Sequence, residues 1–305
     1  MACAIVSLSM SSVDVAVKAF KKTEPEDFRI LSVIEVHMSR YRFVPEEMLP
    51  GSSELAAKEV TYRLRRLDRH GLIIRSSGSY VGYALNRAGY DCLAINALVK
   101  AETIEAIGKP LGVGKEADVH DALMPDRERV AAKFHHLGRI SFRQSRRLRD
   151  YSGDRRHISW LYRSRLAAEK EFEALKLVHP HGVSVPRPVD QNRHVVVMGM
   201  IEGDELAEFI EIPEPRKALN EILLNVRSAY IKAGVIHADL SEFNIMLKPD
   251  DHILIIDWPQ YVKVDHPNAD DLIERDVKNV LKFFSRKFRV KIELDEALNF
   301  VRGNH

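Results

Sequence analysis

The sequence predicts an α+β protein of two successive domains. Three observations carry this. A basic amphipathic helix over 54–70 runs directly into a hairpin, a glycine-rich segment at 112–114 opens a run of short apolar strands, and two Asp-bearing segments near 239 and 257 close that run. With 305 residues there is chain enough for two cores, because one core usually serves a hundred to a couple of hundred residues.

The first domain opens on helices. Pro25 among Glu24, Glu26 and Asp27 marks a helix start before Phe28, Ile30, Leu31 and Ile34. Pro50-Gly51-Ser52-Ser53 breaks the chain, and Ser53 is placed to cap a helix running from Glu54 to His70, which Gly71 ends. At 100° per residue that helix has two faces. Ala56, Val60, Leu64 and Leu67 share one, and Lys58, Tyr62, Arg65, Arg66 and Arg69 share the other. Leu72–Arg75 and Tyr80–Leu85 then flank the polar turn Ser76-Ser77-Gly78-Ser79 as a hairpin. Helices, a basic helix and a hairpin in this order spell a winged helix over 1–90. The basic face has the composition of an ordinary solvated surface, but the wing beside it favours nucleic-acid contact through Lys58, Arg65, Arg66 and Arg69. Residues 91–107 read as a linking helix.

Composition narrows the class. The chain is 45% hydrophobic and 30% charged, as a soluble globular protein is. No apolar run spans a bilayer and the first ten residues lack a signal-peptide pattern, so a cytoplasmic protein with no membrane partner is expected. Cys3 and Cys92 fit neither a disulfide framework nor a zinc knuckle. The net charge of +2 conceals arginine clusters at 63–75 and 139–165.

The chemistry lies in the second domain. Gly112-Val113-Gly114-Lys115-Glu116-Ala117 is a loop in which missing Cβ atoms let backbone N–H groups approach phosphate oxygens. A dinucleotide-binding turn would need a buried strand before it and an acid about 20 residues on. Here the preceding stretch reads as polar and helical, and position 133 is lysine. Lys133 ends the apolar strand Val130-Ala131-Ala132, the setting in which a kinase lysine neutralises α- and β-phosphates. In the helix LAAEKEFEAL, Glu171 lies nearest the core-facing stripe, so it is preferred over Glu169 and Glu173 as the partner of that lysine.

His237-Ala238-Asp239-Leu240-Ser241-Glu242-Phe243-Asn244 keeps the kinase H-R-D-L-x-x-x-N spacing with alanine for arginine. Such a loop presents the Asp239 carboxylate to an attacking hydroxyl or water while Asn244 reaches Mg²⁺. His237 reads as structural. The apolar strand Ile253–Ile256 ends at Asp257, the expected principal metal ligand. The ordered series describes a compact bilobal protein-kinase-like domain, with an N-lobe over 108–199 and a C-lobe over 200–305.

GVGKEADV, HADLSEFN and IIDWPQ together resemble the RIO family of atypical serine protein kinases. The winged helix, KFHHLGRISFR, SWLYRSRLAAEKEF and DHPNA are similar to its second, winged-helix-bearing branch, and to an archaeal member of it. The resemblance implies ATP with Mg²⁺ (or Mn²⁺), and a kinase or ATPase acting in maturation of the small ribosomal subunit, with pre-ribosomal particles, rRNA and a protein substrate or the chain itself as partners. It also implies that Gly112, Val113, Gly114 and Lys115 cover phosphates, that Lys133 pairs with Glu171, that Asp239 is catalytic, and that Asn244 and Asp257 hold metal. Met198, Met200 and Ile201 would form the adenine-binding hinge. Ala117 departs from a serine common there, and no Ala-Pro-Glu follows Asp257.

The arginine-rich segment from Gly138 to His157 is expected to be mobile without a partner, and its Ser141 and Ser145 are the candidate phosphoacceptors. Two other functions fit parts of the sequence: a nucleic-acid-binding factor whose nucleotide pocket is only a conformational sensor, and a winged-helix DNA-binding regulator with an appended sensor domain. The intact Lys133, Asp239, Asn244 and Asp257 speak against a silent pocket.

Overall fold

The computed structural model describes residues 11–137 and 160–304, which form two compact units divided between Ile104 and Glu105. The arginine-rich segment from Gly138 to His157, with Ser141 and Ser145, lies outside the described residues.

In the first unit, α1 (Ser12–Phe20) starts at a capping box. The amide of Asp14 donates to Ser11 Oγ and the amide of Ser11 to Asp14, both at 3.1 Å. α2 (Pro25–His37) buries Ile30, Leu31 and Ile34. A short strand, β1 (Val44–Pro45), and the brief helix α3 (Leu49–Ser53) lead to the basic helix α4 (Ala57–Arg69). The hairpin follows as β2 (Ile73–Ser77) and β3 (Val81–Leu85), and β1 completes a three-stranded sheet in the order β1-β3-β2. α5 (Arg87–Lys100) closes the unit, capped by Asn86 through the amide of Gly89.

Three expectations are corrected here. The basic helix does not begin at Glu54: that residue sits in the left-handed region at φ 56°, and Ser53 Oγ donates back to the carbonyl of Leu49 at 2.6 Å instead of capping α4. Ala56, placed on the packing face by periodicity, precedes the helix and is exposed. The segment 91–107 is not one linking helix. α5 is buried almost all round, from Ala88 through Leu98, and a helix apolar on every side belongs to a core. It packs chiefly on α1, and residues 106–107 already belong to the next strand. Gly89 permits this packing, because a Cβ there would stand 2.1 Å from the carbonyl oxygen of Leu72.

The second unit begins with a five-stranded antiparallel sheet in the order β4-β5-β6-β8-β7. Its strands are β4 (Ala106–Val113), β5 (Ala117–Leu123), β6 (Arg129–His135), β7 (Pro188–Asn192) and β8 (Val195–Gly199), and α6 (Trp160–Val178) packs across β6, β7 and β8. The stretch before the glycine loop is thus a strand rather than helical, although an exposed one whose pairing with β5 shifts register on either side of Pro110. β6 and β8 lie inside the sheet and are buried along most of their length, β6 interrupting its apolar run with Lys133.

The rest of the unit is mainly helical. After the short β9 (Asp204–Glu205) come α7 (Pro215–Ile231) and four small strands, β10 (Val235–Ile236), β11 (Ile245–Leu247), β12 (Ile253–Ile255) and β13 (Val262–Lys263). α8 (Ala269–Lys287) and α9 (Leu294–Arg302) finish it. One apolar core runs through both halves of this unit, from Ala131 and Val196 to Trp258, Phe284 and Val301.

The basic helix is held by a charge cluster built on the buried Arg63 and Asp27, with Glu24 and Glu59 at its exposed rim. Arg63, 7% exposed, bonds Glu59 at 2.7 Å and Glu24 at 2.6 Å, and reaches the fully buried Asp27 at 3.4 Å. Removing Arg63 takes one guanidinium partner from the buried Asp27 and leaves it Arg66 and the amide of Glu24, and breaking a buried pair costs up to about 3 kcal/mol. Urea denaturation followed by circular dichroism should therefore show Arg63→Ala destabilising this unit by about 3 kcal/mol, whereas the exposed Arg65→Ala should change stability by less than about 0.5 kcal/mol.

Candidate active site

Strand alternation places Lys133 and His135 on one face of β6, and helical periodicity places Glu171 within the buried stripe Ala167, Ala168, Ala174 and Leu175 of α6. A glutamate 1% exposed on an apolar stripe demands a partner. It has two. Lys133 Nζ donates to Glu171 Oε1 at 2.7 Å, and His135 Nε2 lies 2.6 Å from Glu171 Oε2. Lys133 Nζ also donates to Asp257 Oδ1 at 2.8 Å, so one ammonium joins the sheet, the helix and the end of β12. Burial alone would raise the Glu171 pKa, but the charges of Lys133 and His135 outweigh it and hold the carboxyl below its usual range. For Lys133, burial works against the ammonium and the two carboxylates overcome it, raising its pKa.

A cleft of about 860 Å³ opens over this network. Gly114, Lys115, Ala117, Lys133, Glu171, Met198, Ile201, Asn244 and Asp257 all line it. Gly114 must lack a side chain, since a Cβ would stand 2.9 Å from the carbonyl oxygen of Ala117, which accepts the Gly114 amide at 2.8 Å. Gly112, Val113 and Met200 are not among the lining residues. Gly112 and Val113 finish the exposed strand β4, and a Cβ on Gly112 would meet nothing within 4 Å.

Asp239 is exposed on the loop between β10 and β11, beside the cleft rather than among its lining residues. Its pKa is raised, first by desolvation and less by the nearby Asp257 charge. Asn244 Nδ2 donates to the carbonyl of Asp239 at 2.8 Å, which fixes the loop and leaves the amide oxygen of Asn244 for a cation. His237 is structural, as expected. Its Nε2 bonds the carbonyl of Ile256 at 3.0 Å, its ring lies 4.5 Å from that of Trp258, and burial lowers its pKa.

Asp276 was not singled out by its sequence context. This residue of α8 is 1% exposed among Ile273, Val277 and Val280, and its carboxylate accepts the amides of Ala238 at 2.7 Å and Leu240 at 3.1 Å. Arg275 adds a bond to the carbonyl of Ala238. Ala238 is thereby held at φ 62°, a left-handed conformation unfavourable for a residue with a Cβ. Burial pushes the Asp276 pKa up to about 6 against the pull of both amides. An acid on an apolar stripe was the available signal, the same one that marks Glu171.

The basic face of α4 is only partly as expected. Lys58, Arg65 and Arg69 are exposed, but Arg66 is bound to Glu24, to Asp27 at 3.3 Å and to the carbonyl of Lys22, so it belongs to the fold rather than to a free surface.

If Asp276 sets the loop, Asp276→Asn, which keeps one acceptor and sets an NH₂ against the other amide, should lower kcat about tenfold while leaving nucleotide affinity unchanged. Single-turnover phosphoryl transfer alongside equilibrium nucleotide binding checks both halves of that expectation.

Two family models match the chain, a RIO domain over residues 118–297 and a Rio2 N-terminal domain over residues 20–101. The RIO-type serine/threonine-protein kinase Rio2 of Methanocaldococcus jannaschii is 42% identical over 274 residues, covering 87% of this chain and 99% of that protein. The serine/threonine-protein kinase rio2 of Schizosaccharomyces pombe is 38% identical, covering 92% of this chain and 81% of its own. A solved Rio2 kinase–ADP/Mg²⁺–phosphoaspartate complex from Chaetomium thermophilum superposes with a TM-score of 0.79 at 31% identity, covering 93% of this chain and 88% of the other. With its winged-helix unit, buried Lys133–Glu171 pair and Asp239/Asn244 loop, the chain belongs to the RIO family of atypical serine/threonine-protein kinases, in its Rio2 branch.

Proposed function

We propose that the chain transfers the γ-phosphoryl group of ATP in the cleft above Lys133, and does so in the cytoplasm in maturation of the small ribosomal subunit. The observation carrying the chemistry is the convergence of Lys133, Glu171 and Asp257 within 2.8 Å contacts at the base of a cleft that Gly114 and Lys115 roof. Lys133, pinned by Glu171, is positioned to neutralise α- and β-phosphate oxygens. Asp239 acts as general base: it takes the proton of an acceptor hydroxyl whose oxygen bonds to the γ-phosphorus as the bond to the ADP oxygen breaks.

The donor set suits a hard divalent cation. Asn244 keeps its amide oxygen free, and Asp257 uses one oxygen for Lys133 and has a second to offer. Asn244 and Asp257 would hold Mg²⁺ or Mn²⁺, which, when bound, offsets charge on the β- and γ-phosphates. The partnership with pre-ribosomal particles and rRNA rests on the family resemblance and on the exposed Lys58, Arg65 and Arg69 of α4.

A second reading, ATP hydrolysis as a timing switch, is favoured by the relative solved with ADP/Mg²⁺ and phosphoaspartate. Here Asp257 or Asp239 would take the phosphoryl group as an acyl phosphate, releasing ADP, and water would then release phosphate. Incubation with labelled ATP separates the readings: acid-stable phosphoserine supports the kinase, hydroxylamine-labile phosphoprotein with free phosphate supports the ATPase. Lys133→Ala and Asp257→Ala should abolish both products, and full activity in either folded variant would sink the proposal. Replacing Lys58, Arg65 and Arg69 by alanine should reduce the salt dependence of RNA binding by about one counterion for each phosphate no longer neutralised, read from affinities over a salt series.

A further inference from the structure

One face of α6 lines the cleft with more positive charge than the Lys133 network uses. Arg163, Leu166, Ala167, Lys170 and Glu171 recur at the spacing of a single helical face, and all of them line it. Glu171 is committed to Lys133 and His135. Arg163 is different: its Nε is buried and has no hydrogen-bond partner among the described residues. A charged group with an unmatched donor is costly to keep, and Arg163 stands on the cleft wall, where an anion can meet its guanidinium.

The charges around the cleft point to which group. Of the lining lysines outside α6, Lys133 faces two carboxylates and Lys115 is exposed on the glycine loop; the loop His237–Asn244 contains no lysine or arginine, and Glu116 and Glu205 add negative charge to the lining. A nucleoside triphosphate differs from a diphosphate by one more anionic phosphoryl group, the one that must be held for transfer. The planar guanidinium fork matches phosphoryl oxygens better than an ammonium does, and Lys170 on the same face supplies a second, exposed charge.

We propose that Arg163, assisted by Lys170, binds the γ-phosphoryl group of ATP and makes the cleft distinguish ATP from ADP. The inference rests on the reading of the cleft as an ATP site, and the test keeps the two apart. Calorimetric titration of the full chain with ATP and with ADP, each with Mg²⁺, gives the affinities for wild type, Arg163→Gln, Arg163→Lys and Lys170→Gln. Arg163→Gln should weaken ATP about tenfold and ADP by less than about twofold, with Arg163→Lys intermediate for ATP and Lys170→Gln weakening ATP about threefold.

Wild-type protein that binds neither nucleotide would remove the ATP site itself. Normal wild-type binding with variants that lose nothing, or lose ATP and ADP equally, would overturn the γ-phosphoryl assignment alone. Should Arg163→Gln fail to fold, as judged by its thermal midpoint, the exposed Lys170→Gln decides: no selective loss of ATP overturns the assignment.

Discussion

The kinase unit is organised around one buried ammonium. Lys133 comes from the middle of the sheet, Glu171 from the helix laid across it and Asp257 from the far end of a strand 124 residues away, and all three meet within hydrogen-bonding distance. Glu171, almost wholly buried, and Lys133, largely so, each need the other, whereas the half-exposed Asp257 adds a third contact from the rim of the cleft. Because buried ion pairs gain little net stability over apolar packing, the arrangement is better understood as specification: it permits one register of α6 against β6 and one placement of the β12 terminus. His135 on the second oxygen of Glu171 removes the remaining freedom of that carboxylate.

The loop that carries Asp239 and Asn244 depends on a different kind of fixation. Asp239 and Asn244 sit on a loop with few apolar anchors, and what gives it shape is main-chain hydrogen bonding: Asp276 from below, the carbonyl of Ile256 through His237, and the internal bond from Asn244 to the Asp239 carbonyl. The strained geometry of Ala238 is retained because so many bonds overdetermine it. Rigidity is thereby delivered to a loop that leaves Asp239 exposed.

Much of this was legible in the sequence. The helix that carries Glu171 and the strands through Lys133 and up to Asp257 follow from apolar periodicity, and the Lys133–Glu171 pair follows from a charged residue placed on an apolar stripe. What escaped was set by contacts distant along the chain. Arg66 projects to the solvent side of an isolated helix, but Glu24, 42 residues earlier, folds over it. The stretch ELAAKEV favours helix throughout, and only the αL turn at Glu54 breaks it. The glycine loop suggested phosphate contact at Gly112, yet strand pairing carries Gly112 and Val113 along an exposed edge and leaves Gly114 and Lys115 over the cleft.

The anchoring of the His237–Asn244 loop by its amides bears on how such proteins diverge. Asp276 holds residues 238 and 240 through groups that nearly every amino acid possesses, so the side chain at 238 is relieved of any duty in shaping the loop. That position can drift, from the arginine of most kinases to the alanine found here, without loss of the fold around it. A comparison by letters penalises such a change. The acid buried one helix away, rather than the residue at 238, is the better marker of a loop still built for transfer.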